Sequence, residues 1–280
     1  MSPSPQVRCR QIAAADIGAV TELLARGFPA KPRNYWASAL DTLAARGAPE
    51  GCPEFGYLLE ADGVVVGALL LIFSEVGGQV RANVSSWYVE PEHRGHAAML
   101  AMQASKLKHV TYLNTSAATH TWPILEALGY RRYSQGQFAA LPALKLGGAG
   151  RVRPVSDADA AIPEYELLRA HEAAGCQALI VETAGNPQPF VFLRRKLERV
   201  PLGAAQLVYA RDTAALVACA GPLGRFLLGQ GAALLICDAE GPIPGLPGRF
   251  FPGRTPRYFK GPNPPRLNDL AFTEMVVFGP

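Results

Sequence analysis

Residues 85–100, SSWYVEPEHRGHAAML, narrow the choice of folds sharply. The first half has the composition of a buried strand and the second half opens a helix, with Pro91, Arg94 and Gly95 at the joint. Where a strand runs into a helix through a short glycine-containing turn, the first free backbone N–H groups of the helix point outward. They carry the positive end of its dipole, so the joint is an anion site. Here it comprises Arg94, Gly95, His96, Ala97 and Ala98, with the Arg94 guanidinium able to add a charge-assisted contact. A pyrophosphate fits such a joint.

The elements around it emerge from periodicity. VRCRQI reads as a strand, and AADIGAVTELLARGF as an amphipathic helix with Ile17, Val20, Leu23 and Leu24 at helical spacing. RNYWASALDTLAARG is a second helix closed by Gly47. Two apolar runs, FGYLLE and VVVGALLLIF, flank Ala61-Asp62-Gly63, a hairpin signal. After the joint come the helix AAMLAMQASKLKH, the strand VTYLNTS, the short helix WPILEALG and the strand YRRYSQGQFAAL. Strand, two helices, three strands, helix, strand, helix, strand is a mixed α/β layer.

The chain has 280 residues, more than one ordinary domain, and the glycine-rich PALKLGGAGR places a boundary at 145/146. The second half of the chain repeats the first weakly: VRCRQIAAAD and ELLAR have counterparts in VRPVSDAD and ELLRA, and the later elements match by type, which favours a duplicated fold over residues 146–280. Apolar residues make up 49% and charged residues 18%, the balance of a soluble globular protein. A net charge of +4 is too mild to call for a nucleic-acid partner. The longest apolar run, residues 63–73, is short of a bilayer span, and the N-terminus lacks a secretory h-region. Five cysteines without a CxxC pair read as reduced thiols, so a cytoplasmic location is expected. His93 and His96 are not spaced as metal ligands, and no metal is expected.

YVEPEHRGHAAML after a long strand, then a helix, a strand and ILEALGY, resembles the GNAT superfamily of acyl-CoA-dependent N-acyltransferases over the first half of the chain. Val89, Pro91, Arg94 and Gly95 match that family's V-x-P-x-x-R-G-x-G pattern. Ile124, Glu126, Leu128, Gly129 and Tyr130 match its LYEKLGF-like segment. Three positions depart from it: Ala97 stands where the family prefers Gly, Met99 where it prefers Gly or Ala, and Leu125 where it carries a general-acid tyrosine.

The resemblance implies acetyl transfer from acetyl-CoA to an amine of a small molecule or peptide, without nucleic acid or membrane as partner. It puts Trp87, Tyr88 and Val89 along the pantetheine arm, with the Val89 N–H polarising the thioester carbonyl, and the phosphates on Arg94, Gly95, His96, Ala97 and Ala98. His120 is the candidate base, its imidazole suited to proton transfer near neutrality; a solvent-exposed loop histidine is the alternative. Asn114 could orient the amine or cap a turn. Arg33, Tyr35 and Trp36 are candidates for acceptor binding, with burial of Tyr35 and Trp36 in the core as the competing reading. RFFPGRTPRYFKGPNPPR reads by default as a basic, proline-rich surface loop, with contact to an acidic or CoA-like ligand or closure of an inter-domain seam as alternatives. Further functions stay open: a non-catalytic acyl-CoA-binding protein on the same fold, and a transferase that moves a longer acyl group or transfers to oxygen. Neither the acceptor nor the oligomeric state is fixed by the sequence.

Overall fold

The structure, a computed structural model, describes residues 6–148, 150–183, 186–196 and 202–279. The chain forms two compact units, and neither is a single continuous stretch.

Unit 1 takes the chain up to Arg131 together with Phe259–Pro264 and Phe272–Phe278. Its strands β1 (Val7–Gln11), β2 (Gly56–Ala61), β3 (Val64–Val76), β4 (Gln79–Val89) and β5 (Thr111–Asn114) lie side by side in that order. The β2–β3 hairpin turns on Asp62 and Gly63, at φ 48° and 84°. Two successive positive φ values define the tight turn that matches strand twist, and they explain the Asp-Gly pair. Helix α1 (Ile17–Gly27) buries Val20, Leu23 and Leu24, and α2 (Arg33–Arg46) buries Trp36, Leu40 and Leu43. Both pack into one apolar cluster with Leu58, Ala68, Leu70 and Ile72 of the sheet. Burial of this stripe, rather than intrinsic helix propensity, fixes the two helices. Helix α3 (Ala97–Ala104) ends at Ser105, short of the run to His109 expected from sequence. Ser105 turns its hydroxyl and N–H back onto Ala101 O, so its polar groups close the helix rather than continue it. Helix α4 (Trp122–Ala127) completes this part.

Unit 2 takes Arg132–Tyr258 and Pro265–Ala271. Its strands run in the order β6 (Arg131–Ala140), β11 (Ala232–Ala239), β10 (Gly203–Ala210), β9 (Gln188–Arg195), β8 (Gln177–Glu182) and β7 (Arg151–Pro154), with β12 (Gly248–Lys260) beside β6. Helices α5 (Tyr165–Ala173) and α6 (Thr213–Gly229) belong to it, and its core gathers Leu179, Phe190, Phe192, Leu207, Leu223 and Leu235. The chain first changes unit at Arg131/Arg132, ahead of the expected 145/146. The reason is pairing: β6 runs antiparallel to β11, from Ala140 opposite Leu235 to Gly136 opposite Ala239. RFFPGRTPRYFK, expected as a surface loop, is strand β12. Its Arg257 is 1% exposed and ion-paired through Nε to both carboxylate oxygens of Asp238, at 3.1 and 3.0 Å.

The weak sequence repeat has a physical counterpart in each unit. Arg10 grips Asp16 with two hydrogen bonds of 2.6 and 2.8 Å and also reaches Glu60 of β2. Arg153 grips Asp159 at 2.7 and 2.6 Å and reaches Glu182 of β8. In both, the carboxylate also accepts a backbone N–H, from Ala13 or Ser156. These bonds favour the charged carboxylate and hold Asp159 at about 2. The matched residues explain why identities between the halves cluster at VRCRQIAAAD and VRPVSDAD.

Candidate active site in the split between two strands

Strand β4 makes the site by parting from β5. The two pair in parallel only at Arg81–Thr111, Ala82–Tyr112 and Asn83–Leu113. Beyond Asn83, β4 continues for six residues, and no strand among the described residues pairs with it on that edge. On its other edge Tyr88 lies opposite Ala68 and Ser85 opposite Leu70, so Ser86 and Trp87 together face Leu69 alone. This is a bulge, with Ser86 at φ 55°, and it turns the strand away from its neighbour. The side chain of Asn83 braces the vertex, donating to Leu113 O at 3.2 Å and Val84 O at 3.3 Å.

Past the bulge, Glu90 N–H donates to Val66 O of the β3 segment at 2.8 Å. Successive strand residues direct their N–H groups to opposite edges, so the Val89 N–H points into the gap. Two adjoining cavities occupy it. One, of 340 Å³, is bordered by Gly27, Phe28, Ser85, Ser86, Asn114 and Ser116; the other, of 360 Å³, by Val89, Ala97 and Ile124. Trp87, Tyr88, Arg94, His120 and Thr121 border both.

Tyr88 is held from three sides. Its ring lies over Gly27, where a Cβ would meet the ring's Cγ at 2.4 Å, so this close approach requires glycine. Phe28 packs at 6.1 Å between centroids, and the Tyr88 hydroxyl donates to Glu90 at 3.1 Å. Burial, reinforced by the Glu90 charge, pushes the Tyr88 phenol up. Glu90 also pairs with Arg26 at 2.9 Å, so it is a structural acid here rather than a free surface charge.

At the mouth of the gap, Pro91–His96 forms a 3-10 turn ahead of α3. No side chain caps α3, and Arg94 stands exposed beside it. Ala97 donates its N–H to Arg94 O, which removes one of the amide donors expected for an anion. Unit 2 has the corresponding split in a different state. Pairing of β10 with β11 stops at Gln206–Ile236, and Gln206 braces the vertex as Asn83 does, donating to Ile236 O and Leu207 O at 3.3 Å. The chain itself fills the gap beyond. Leu270 N–H donates to Val208 O at 2.8 Å, Ala210 N–H to Asn268 O at 3.1 Å, and Asp238 N–H to Asn268 Oδ1 at 2.8 Å. Asp212 caps α6, accepting from Ala215 N–H at 2.7 Å. A carboxylate thus sits on the amides that an anion would need.

Trp87, Tyr88, Val89, Arg94, Ala97, Asn114 and His120, scattered over 34 positions of sequence, are brought to one gap. Gly95, His96 and Ala98 lie in the adjoining turn but border neither cavity. Arg33, Tyr35 and Trp36 do not border the gap either. Arg33 pairs with Glu22, Trp36 is buried in the α1–α2 core, and Tyr35 packs edge-on against Trp36 at 5.0 Å. Leu125 is buried, so no hydroxyl is presented from that position. Sequence reading missed Gly27, Phe28, Ser85, Ser86 and Ser116. The Ser85-Ser86 pair inside an apolar strand was the one available signal of a bulge. Among the described residues, no group of three or more His, Cys, Asp or Glu is placed to hold a metal, and no helix is long and apolar enough to cross a membrane.

Solved structures share this arrangement of elements. A GCN5-related N-acetyltransferase from Anabaena variabilis matches 91% of this chain and 72% of its own, with a TM-score of 0.62 and 11% identity. One from Kribbella flavida matches 91% and 71%, at 0.56 and 18% identity. A putative acetyltransferase from Pyrococcus horikoshii matches 95% and 93%, at 0.53 and 14% identity. No protein-family model matches the sequence, and neither does any curated protein.

Proposed function

On a chain with the fold of the GCN5-related N-acetyltransferases, we propose that the β4–β5 gap of unit 1 binds acetyl-CoA and that the protein is a cytoplasmic N-acetyltransferase acting on an amine of a small molecule or peptide. The observation that carries this reading is the split itself: an unpartnered strand edge leading from an uncapped helix with Arg94 at its mouth. The pyrophosphate sits at the mouth, on Arg94 and the turn that includes Gly95, His96, Ala97 and Ala98. The pantetheine amides pair with the free edge from Val89 towards Trp87, beside Tyr88, as a strand would.

The Val89 N–H, which points into the gap, polarises the thioester carbonyl as negative charge builds on oxygen. An acceptor nitrogen held near Asn114 loses a proton to His120, and its lone pair attacks the carbonyl carbon. The C–S bond breaks and the thiolate departs. With Leu125 in place of a hydroxyl-bearing residue the thiolate leaves without an acid, which a thiol of pKa roughly 8.5 permits, and takes its proton from solvent. Five free thiols, none in a disulfide, support the cytoplasmic assignment.

Arg94→Glu tests the reading. It removes a charge-assisted contact worth about 1.5–3 kcal/mol and adds repulsion, so CoA affinity falls at least tenfold in calorimetry. Arg94 is exposed and borders solvent, so the variant stays folded. Unchanged affinity would remove the phosphates from this joint. Release of free thiol from acetyl-CoA on addition of a primary amine then separates an enzyme from a binding protein.

A further inference from the structure

The two cavities of the β4–β5 gap adjoin, and Trp87, Tyr88, Arg94, His120 and Thr121 border both, so these residues form the neck between them. On one side the 360 Å³ cavity reaches Val89 and Ala97; on the other the 340 Å³ cavity reaches Asn114 and the hydroxyls of Ser85 and Ser86, which lie 3.0 Å apart. Arg94 and His120 are exposed. Tyr88 differs from them, because its ring is fixed. A Cβ on Gly27 would fall 2.4 Å from the ring's Cγ and 2.6 Å from both Cδ atoms, so the ring rests face-on against the backbone of α1. Phe28 flanks it with its own ring tilted by 59°, and the hydroxyl is held by Glu90, itself ion-paired to Arg26. Arg26, Gly27 and Phe28 are consecutive. The C-terminal end of α1 thus clamps one ring through three successive residues.

We propose that Tyr88 gauges the acyl group of the donor: its fixed ring narrows the neck, so that an acetyl group is accepted and a longer acyl chain is turned away. The inference rests on the reading of the gap as an acetyl-CoA site. In that reading the thioester oxygen accepts from the Val89 N–H at about 2.9 Å. Val89 N is bonded to the Tyr88 carbonyl carbon, so this oxygen lies no more than about 6 Å from the Tyr88 Cα. The acyl chain therefore starts beside the Tyr88 side chain, and a chain of six carbons has to pass it. A mobile ring would swing aside. This ring has no room to retreat, because the Gly27 backbone touches one face and Phe28 flanks it. In a neck without such a ring the longer chain would have the advantage, since every methylene that leaves water for an apolar wall adds to affinity. Gly27 has no side chain to take the ring's place, so a smaller residue at position 88 leaves open space against α1. Preference for the short acyl group is thus the signature of the ring.

Calorimetry of CoA, acetyl-CoA and hexanoyl-CoA, with no amine present, tests the gauge and needs no acceptor. The wild type binds acetyl-CoA at least tenfold more tightly than hexanoyl-CoA. Tyr88→Ala shifts the ratio of the two dissociation constants at least tenfold toward hexanoyl-CoA. Tyr88→Leu, which keeps an apolar contact for Phe28, shifts it in the same direction and carries the test where the alanine variant does not fold. Tyr88→Phe keeps the ring on Gly27 and holds the ratio within threefold of wild type, which assigns the gauge to the ring rather than to its hydroxyl. An unchanged ratio in folded Tyr88→Ala or Tyr88→Leu overturns the inference, as does loss of discrimination in Tyr88→Phe or a wild type that binds both thioesters equally; in each case CoA still binds and the reading of the gap stands. A wild type that binds no CoA removes that reading, and the inference with it.

Discussion

Asp238→Ala destabilises unit 2 by about 3–5 kcal/mol, because it removes the carboxylate that pairs with the buried guanidinium of Arg257. Asp238 and Arg257 are each 1% exposed. Taking two charges out of water is costly, and only their mutual attraction and hydrogen bonds offset it, so losing one partner exposes nearly the whole penalty of the other. The second arm of the experiment separates charge from packing: Asp238→Leu combined with Arg257→Met removes both charges and restores much of the stability. Equilibrium urea unfolding of the 280-residue chain reads both. A loss below about 1 kcal/mol in Asp238→Ala would show that other groups carry the Arg257 charge.

Replacing His120 by Ala lowers turnover by about two to four orders of magnitude and leaves CoA affinity nearly intact. His120 borders both cavities of the gap, the one that reaches Val89 and Ala97 and the one that reaches Asn114. A base in that position takes the acceptor's proton in the transition state but carries none of the cofactor's binding energy, so the effect falls on kcat rather than on CoA affinity. The imidazole is exposed on a 3-10 turn, and its loss opens no cavity in the core. Turnover at the wild-type rate would transfer the deprotonation to water.

Much of the fold was legible because it rests on local periodicity. The β2–β3 hairpin announced itself through Asp62-Gly63, and α1 through Val20, Leu23 and Leu24, since a turn's φ requirement and a helix's buried stripe are written in adjacent residues. Strand β12 was not legible. Pro252, Pro256 and four basic residues break its alternation, and only its place beside β6 and the burial of Arg257 on Asp238 make it a strand. The strand-to-helix joint at Arg94 was visible in the sequence. The filling of the unit 2 split by residues 268–270 was invisible, because the backbone bonds of Asn268 and Leu270 carry no side-chain signature. The contacts of Glu274 escaped notice because its partners Asn83 and Thr115 are 191 and 159 positions away.

One calorimetric titration weighs the whole assignment: CoA into the intact 280-residue chain, wild type and Arg94→Glu. One equivalent of CoA binds to the wild type, at the gap of unit 1, because the matching gap of unit 2 is occupied by the chain's own backbone and its helix is capped by Asp212. The same titration of Arg94→Glu shows affinity at least tenfold lower. Two equivalents in the wild type, no binding at all, or an Arg94→Glu isotherm that overlays the wild type would each contradict it.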